Sequence, residues 1–212
     1  MDLVKRIDLE IEKRSLLKHP FYQMWSEGRL EMESLRGYAK EYFHLVRAVP
    51  EMVESIAQQG GGNYSSEILR NLSEERDHIE PWVKFAGALG VAKQELEGYQ
   101  AAKKTKDSVQ EMLGLASRFE EGVSAMYAYE AEIPKISRTK LDGLGKYYGI
   151  TGEDATEYQR IHAVVDVRHA DVWRRILGGL PGERHERVFD AAVSSLVAQN
   201  TLLDAVYERY VA

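Results

Sequence analysis

The stretch Ile161–Trp173, IHAVVDVRHADVW, decides how the rest of the chain is read. His162, Asp166 and His169 stand at i, i+4 and i+7. At 100° per residue these three directions fall within about 60° of one another, so a helix projects all of them from one face. Val165 and Trp173 lie near the same stripe, which points it inward rather than to water. Two imidazoles and a carboxylate on one helical face are a facial ligand set suited to iron(II), manganese or zinc. The competing reading is a solvated polar face with a chance His–Asp–His spacing.

Outward from this segment, apolar residues recur at helical spacings of three and four. The pattern predicts helices over Leu3–Lys18, Met32–Gln58 with a kink near Pro50, and Ser65–Leu89 interrupted near Pro81. Others are expected over Asp154–Leu177 and Glu183–Tyr210, with a short helix or turn holding Phe21, Tyr22 and Trp25. Ser34 is a candidate cap for the second helix. Asp107 is the expected cap of a long helix running past Glu130 and bending at Pro134. Glycine clusters at 60–62, 87–90, 149–152 and 178–182 mark the breaks. Alternating strand patterns, internal repeats and low-complexity linkers are missing, so residues 1–212 read as one all-α domain.

Composition narrows the chemistry. With 44% hydrophobic and 29% charged residues the chain can bury a sizeable core. The absence of cysteine excludes disulfides, thiolate metal sites and a cysteine nucleophile. A net charge of −6 without a basic block argues against nucleic acid. No apolar run reaches the length of a membrane span, and MDLVKRIDLEIEKR lacks the apolar centre of a signal peptide. A cytoplasmic protein without a membrane partner is the expectation. There is no GxGxxG, P-loop or GxSxG.

Two further segments offer metal-ligating groups. Glu75-Arg-Asp-His78 places a carboxylate and an imidazole at i, i+3, the pair used by helical metal proteins. Glu41-Tyr-Phe-His44 repeats that spacing, so neither pair is diagnostic alone. Glu130 lies in AMYAYEAEIP among aromatic and apolar neighbours, and a buried carboxylate needs a cation, hydrogen-bond donors or a proton. A neighbouring Lys or Arg is the alternative partner. Glu120 and Glu121 read as surface acids. Together Glu75, His78, Glu130, His162, Asp166 and His169 supply three imidazoles and three carboxylates, enough for two metals with about three protein ligands each. Such a nitrogen/oxygen set fits iron or manganese better than calcium or magnesium, and open positions would admit dioxygen. His19 reads as a structural hydrogen-bonder and His185 as part of a solvated charge run.

HPFYQMWSEGRL (19–30), LRGYAKEYF (35–43), HIEPWVKFAGALGV (78–91), YAYEAEIPKISRTKLDGL (127–144) with YYGI (147–150), and HAVVDVRHA (162–170) carry a family resemblance. The chain resembles the haem-oxygenase-like all-α fold shared by TenA thiaminases and the pyrroloquinoline quinone synthase PqqC. Within it, the resemblance is to the branch of the chlamydial protein associating with death domains (CADD). That resemblance implies a di-metal oxygenase, using iron and/or manganese with dioxygen as co-substrate and an external reductant. It implies Glu75, His78, Glu130, His162, Asp166 and His169 as ligands. The branch has a longer segment between its first Glu and His than the two residues found here, which leaves Glu74 and Glu75 both open as the first carboxylate. The resemblance further implies p-aminobenzoate formation by cleavage of the enzyme's own tyrosine, at Tyr22, with Lys140 as amine donor and Tyr38 and Tyr129 as radical relays.

Three alternatives remain at this stage. A ferritin-like di-iron bundle would use Glu41 and His44. A metal-free PqqC-like enzyme would need basic groups around its pocket, for which Lys140 and Arg168 are the candidates. A non-enzymatic helical interaction protein would need none of the six ligands. A homodimer is a further expectation for a bundle of this size.

Overall fold

The computed structural model describes residues 2–212, and every regular element among them is helical. Eleven α-helices follow one another: α1 (Leu3–Lys13), α2 (Pro20–Glu27), α3 (Met32–Gln58), α4 (Ser65–Asp77), α5 (Ile79–Ala88), α6 (Lys93–Gly98), α7 (Lys103–Ala116), α8 (Phe119–Glu130), α9 (Ile133–Tyr148), α10 (Glu153–Gly178) and α11 (His185–Tyr210). Helix α10 lies along α9, α5 and α8, while α11 packs on α8 and α7 and α3 lies against α7, α4 and α11. Trp25, Trp82, Trp173, Tyr22, Tyr38, Phe21 and Phe85 fill the centre with almost no exposure.

The breaks have local causes. The first helix stops at Lys13, and Leu16–Lys18 form a separate 3₁₀ turn rather than a continuation to Lys18. His19 caps α2 by accepting from the Phe21 N–H at 3.1 Å while Nε2 meets Asp204 at 3.1 Å, a structural role as expected. Pro20 occupies the first turn of α2, where its missing N–H costs nothing. The expected 65–89 helix divides at His78, three residues before Pro81. Proline at 81 has no N–H for the Asp77 carbonyl and its ring crowds that carbonyl, which sets the break one turn upstream. Helix α3 continues through Pro50.

The expected helix from Asp107 past Glu130 and Pro134 is divided among three helices, α7, α8 and α9. Asp107 lies inside α7, four residues after Lys103, and does not cap it. The chain breaks at Ser117–Arg118 and again at Ala131–Glu132, where Pro134 sits in the first turn of α9. Ser34 also lies inside its helix and donates to the Tyr210 carbonyl at 2.8 Å. Helix α9 comes against α2 so closely that a Cβ on Gly143 would stand 2.5 Å from Trp25 Cδ1. That approach lets Trp25 Nε1 donate to the Lys140 carbonyl at 3.2 Å and fixes Lys140 beside Tyr22. No helix is long and apolar enough to cross a membrane among the described residues.

Candidate metal centre

Three helices converge on one buried cluster. The C-terminal end of α4 and the break after it bring in Glu75 and His78, α8 ends on Glu130, and α10 supplies His162, Asp166 and His169. All six side chains are buried. One donor atom each from Glu75, His78 and His162 lie within 4.8 Å of one another, and so do donor atoms of Glu75, Glu130 and His169. Glu75 is common to both groups. The His78 and His162 rings have centroids 4.5 Å apart in an edge arrangement.

Hydrogen bonds orient these groups. Asp166 Oδ2 lies 2.8 Å from His162 Nδ1, and Trp173 Nε1 donates to Glu130 Oε2 at 2.6 Å. His169 Nδ1 lies 3.0 Å from Glu75 Oε1 without an aligned hydrogen bond, and its Nε2 is 2.7 Å from Glu74 Oε2. His78 Nδ1 is 3.3 Å from Glu75 Oε2. Four buried donor atoms are left without a hydrogen-bond partner: Glu130 Oε1, His162 Nε2, Asp166 Oδ1 and His169 Nδ1. An unmet buried polar atom costs about 1–3 kcal/mol, so four aimed into one cluster would be a heavy loss in an ordinary core. Cations coordinated by this nitrogen/oxygen set remove that cost, so the residues present fit a metal centre.

The charges agree with that fit. Burial works to raise the Glu75 carboxyl, but His169 and His78 outweigh it and the group is lowered below its ordinary value. Burial raises the Glu130 carboxyl well above the usual range, opposed by the nearby His169 and reinforced by Glu75 and Asp166. Burial would lower His169, yet Glu75 and Glu130 push it up to about 9. Three carboxylates cannot all remain ionised in one apolar volume without cations; without metal the charge on His169 holds Glu75 ionised while Glu130 is pushed toward its protonated form.

Glu74 and Glu75 are separated by this geometry. Glu75 is buried within both groups, whereas Glu74 is partly exposed and held by Arg70 and by the Arg168 guanidinium. Arg168 therefore lies outside the metal-ligand cluster, paired with Glu74. Glu41 and His44 do not join either. Glu41 accepts from Tyr99 Oη at 2.5 Å, the Ala102 N–H at 3.1 Å and Arg209 at 3.2 Å, and His44 packs on Tyr99. The ferritin-like arrangement is thus not the one adopted. Glu121 also departs from expectation, being buried and paired with Arg118 at 2.7 Å. His185 Nε2 lies 3.0 Å from the Leu180 carbonyl rather than free in solvent.

Beside the cluster lies a second buried group. Tyr22 and Tyr38 share a hydroxyl contact of 3.0 Å, and Lys140 Nζ donates to Tyr38 Oη at 3.0 Å. Tyr42 and Tyr129 share another hydroxyl contact at 3.2 Å. Burial raises the phenols of Tyr22, Tyr38 and Tyr129 well above their ordinary value, so they are protonated near neutrality. Burial lowers the Lys140 amine to about 7, with Asp166 opposing the shift. Rings connect the two groups: Tyr38–Tyr42, Tyr42–Trp82, Trp82–Tyr158 and Tyr158–His162 have centroids 5.2, 5.2, 4.7 and 4.2 Å apart. Tyr158 and Trp173 join the cluster beyond the residues expected from sequence, against His162 and Glu130. Their places four residues before His162 and four after His169, on one helical face, were the available signal.

The fold and the buried cluster together define a helical, metal-dependent redox enzyme. The family profile described as "Iron-containing redox enzyme", of haem-oxygenase type, matches residues 36–200, and the chain belongs to that family. A protein of Chlamydia trachomatis named "4-aminobenzoate synthase" is 32% identical over 91% of this chain and 86% of its own. A TenA homologue from Pseudomonas syringae superposes with a TM-score of 0.84 at 16% identity, covering 97% of this chain and 91% of its own. A CADD-like protein from Nostoc punctiforme gives 0.78 at 17%, covering 99% and 97%. These likenesses bear out the fold and the CADD-like resemblance.

Proposed function

We propose that the protein makes 4-aminobenzoate from its own Tyr22, using a di-metal centre held by Glu75, His78, Glu130, His162, Asp166 and His169. Glu75, His78 and His162 would hold one ion and Glu75, Glu130 and His169 the other, and Asp166 would steer His162 while presenting its free Oδ1. The metals, iron and/or manganese, would supply the oxidising equivalents by reaction with dioxygen. The name of the chlamydial relative supports the product. The observation that carries the reading is that Tyr22 and Lys140 meet at a single hydroxyl, Tyr38 Oη.

The chemistry of the product selects these side chains. In 4-aminobenzoate a one-carbon carboxyl stands para to an amine; in tyrosine Cβ stands para to a hydroxyl. The ring and Cβ of Tyr22 therefore provide the seven-carbon skeleton, which requires cleavage of Cα–Cβ and replacement of the phenolic oxygen by nitrogen. An ammonium cannot donate a lone pair, and the burial that brings Lys140 to about 7 leaves a large neutral fraction near neutrality. Because the buried phenols stay protonated, oxidising Tyr22 requires its proton to leave with the electron, and Tyr38 Oη is the atom placed to accept it. Water is kept out by Trp25, Phe21 and Trp82, all fully buried around these groups.

Protein labelled with ¹⁵N-lysine is loaded anaerobically with iron and manganese, given a reductant and then exposed to air. The expected result is ¹⁵N-labelled 4-aminobenzoate, mass changes confined to the peptides carrying Tyr22 and Lys140, the latter through loss of its ε-nitrogen, and no product from Tyr22→Phe or Lys140→Arg. Product without label, or with Tyr22 intact, would overturn the reading.

A further inference from the structure

The outer face of the metal-bearing helix carries a feature that the cluster does not use. While His162, Asp166 and His169 point inward, Val164, Val167, Asp171 and Arg174 form a stripe at spacings of three, four and three on the opposite face of α10. Val164 and Val167 are 70% and 58% exposed, the two most exposed large apolar side chains described. They line a groove of about 620 Å³ between α9 and α10, rimmed by Lys135, Arg138, Arg168 and Arg174.

The charge of this groove is opposite to that of the molecule. The chain carries −6 overall, yet the rim has four cations and one carboxylate. That carboxylate, Asp171, is held by Arg175 at 3.0 Å. Among the described residues, Lys135, Arg138 and Arg174 form no ion pair; Arg138 instead donates to the Ala163 carbonyl at 3.0 Å. Exposed apolar side chains inside a ring of four cations, three of them unpaired, have the composition of an interface for an acidic partner, with complementary charge steering the encounter.

The groove is also joined to the cluster. The Arg168 guanidinium on the rim bonds Glu74, and the same Glu74 oxygen lies 2.7 Å from His169 Nε2. Only the width of α10, about 10–12 Å with its side chains, separates a protein seated on the valines from the inward ligand face.

We propose that this groove docks an acidic one-electron carrier protein, which reduces the metal centre through the Arg168–Glu74–His169 edge. Each encounter oxidises the carrier by one electron and reduces the centre by one. The proposal rests on the redox reading above for its purpose, but its test requires no turnover.

The ¹⁵N-labelled protein is titrated at low ionic strength with two acidic carriers, oxidised flavodoxin and a plant-type [2Fe–2S] ferredoxin, and with a basic cytochrome c as control. Saturable binding of an acidic carrier is expected, with amide shifts confined to residues 135–138 and 164–174 and no binding of the cytochrome. Raising salt to roughly 0.5 M should abolish binding, since screening at that strength acts over only a few ångströms. Lys135→Glu/Arg138→Glu/Arg174→Glu should weaken binding by at least about tenfold. Because Arg138 also has a backbone bond, Val164→Asp/Val167→Asp provides a second variant at positions already exposed, with the same expected loss and an unchanged melting temperature. Failure of both acidic carriers to bind, a footprint elsewhere, or a solution dimer that covers the groove would overturn the proposal. No docking by the wild-type protein with its metal binding intact refutes this inference alone, whereas failure to load metal refutes the function and leaves docking standing.

Discussion

Lys140→Met should make the metal-free protein more stable at neutral pH. Burial carries the amine from its ordinary 10.5 to about 7, so the folded state disfavours the ammonium that the unfolded chain holds. At about 1.4 kcal/mol per pH unit, that difference costs ~5 kcal/mol when the group is protonated in both states, and about 4 kcal/mol of it is present at pH 7. The sign follows from proton binding. Between pH 7 and 10.5 the unfolded chain binds the proton and the folded chain largely does not, so wild-type stability rises with pH at up to about 1.4 kcal/mol per unit. Methionine fills a similar volume without the charge but loses the bond to Tyr38 Oη, worth about 1 kcal/mol. The variant should therefore gain ~3 kcal/mol at pH 7, or roughly 6–12 °C in melting temperature for a chain of this size. Urea unfolding of metal-free wild type and variant at pH 7, 8 and 9 reads this directly, because shared titrations cancel in the difference. The gain should shrink from pH 7 to pH 9 by about 2 kcal/mol. A variant less stable than wild type at pH 7, or a difference that does not change with pH, would refute a buried amine of low proton affinity and with it the neutral nitrogen donor.

Metal uptake should depend on pH with the opposite proton in play. His169 is pushed up to about 9, so between pH 7 and 9 each coordinating event displaces its proton and affinity should rise by about tenfold per unit, as read by competition with a coloured chelator. A flat profile would show that His169 is not a ligand. Two glycines test the packing that positions Lys140. Gly143→Ala places a Cβ 2.5 Å from Trp25 Cδ1 and should cost about 1–3 kcal/mol, whereas Gly114→Ala, in α7 with nothing within 4 Å, should gain roughly 0.5–1 kcal/mol. Equal effects in thermal melts would contradict the close approach of α9 to α2.

Much of this arrangement is legible in the chain because helical spacing is a local property. His162, Asp166 and His169 share a face by arithmetic alone, and Trp173 extends that face by a further turn to reach Glu130. Spacing fails where a decision is made between elements. Glu41-x-x-His44 and Glu75-x-x-His78 are identical as patterns, and only packing separates them. Helix α3 turns Glu41 toward Ala102 and Arg209, while the break at His78 turns Glu75 toward α10. Helix ends failed for a related reason. Asp107 and Ser34 are good cap residues by type, but each is claimed inside a helix by a partner, Lys103 one turn back for the first and the distant Tyr210 for the second. Charge shows the same limit on a larger scale. A net −6 argues against a polyanionic partner for the whole molecule, yet it averages away Lys135, Arg138, Arg168 and Arg174, which come from two helices and become one cationic rim only when α9 lies against α10. Helix α10 thus has two chemistries written at one period: its imidazoles face the core, while Val164 and Val167 face water. The inward face is read from residue type, and the outward one becomes meaningful only once its neighbour is in place.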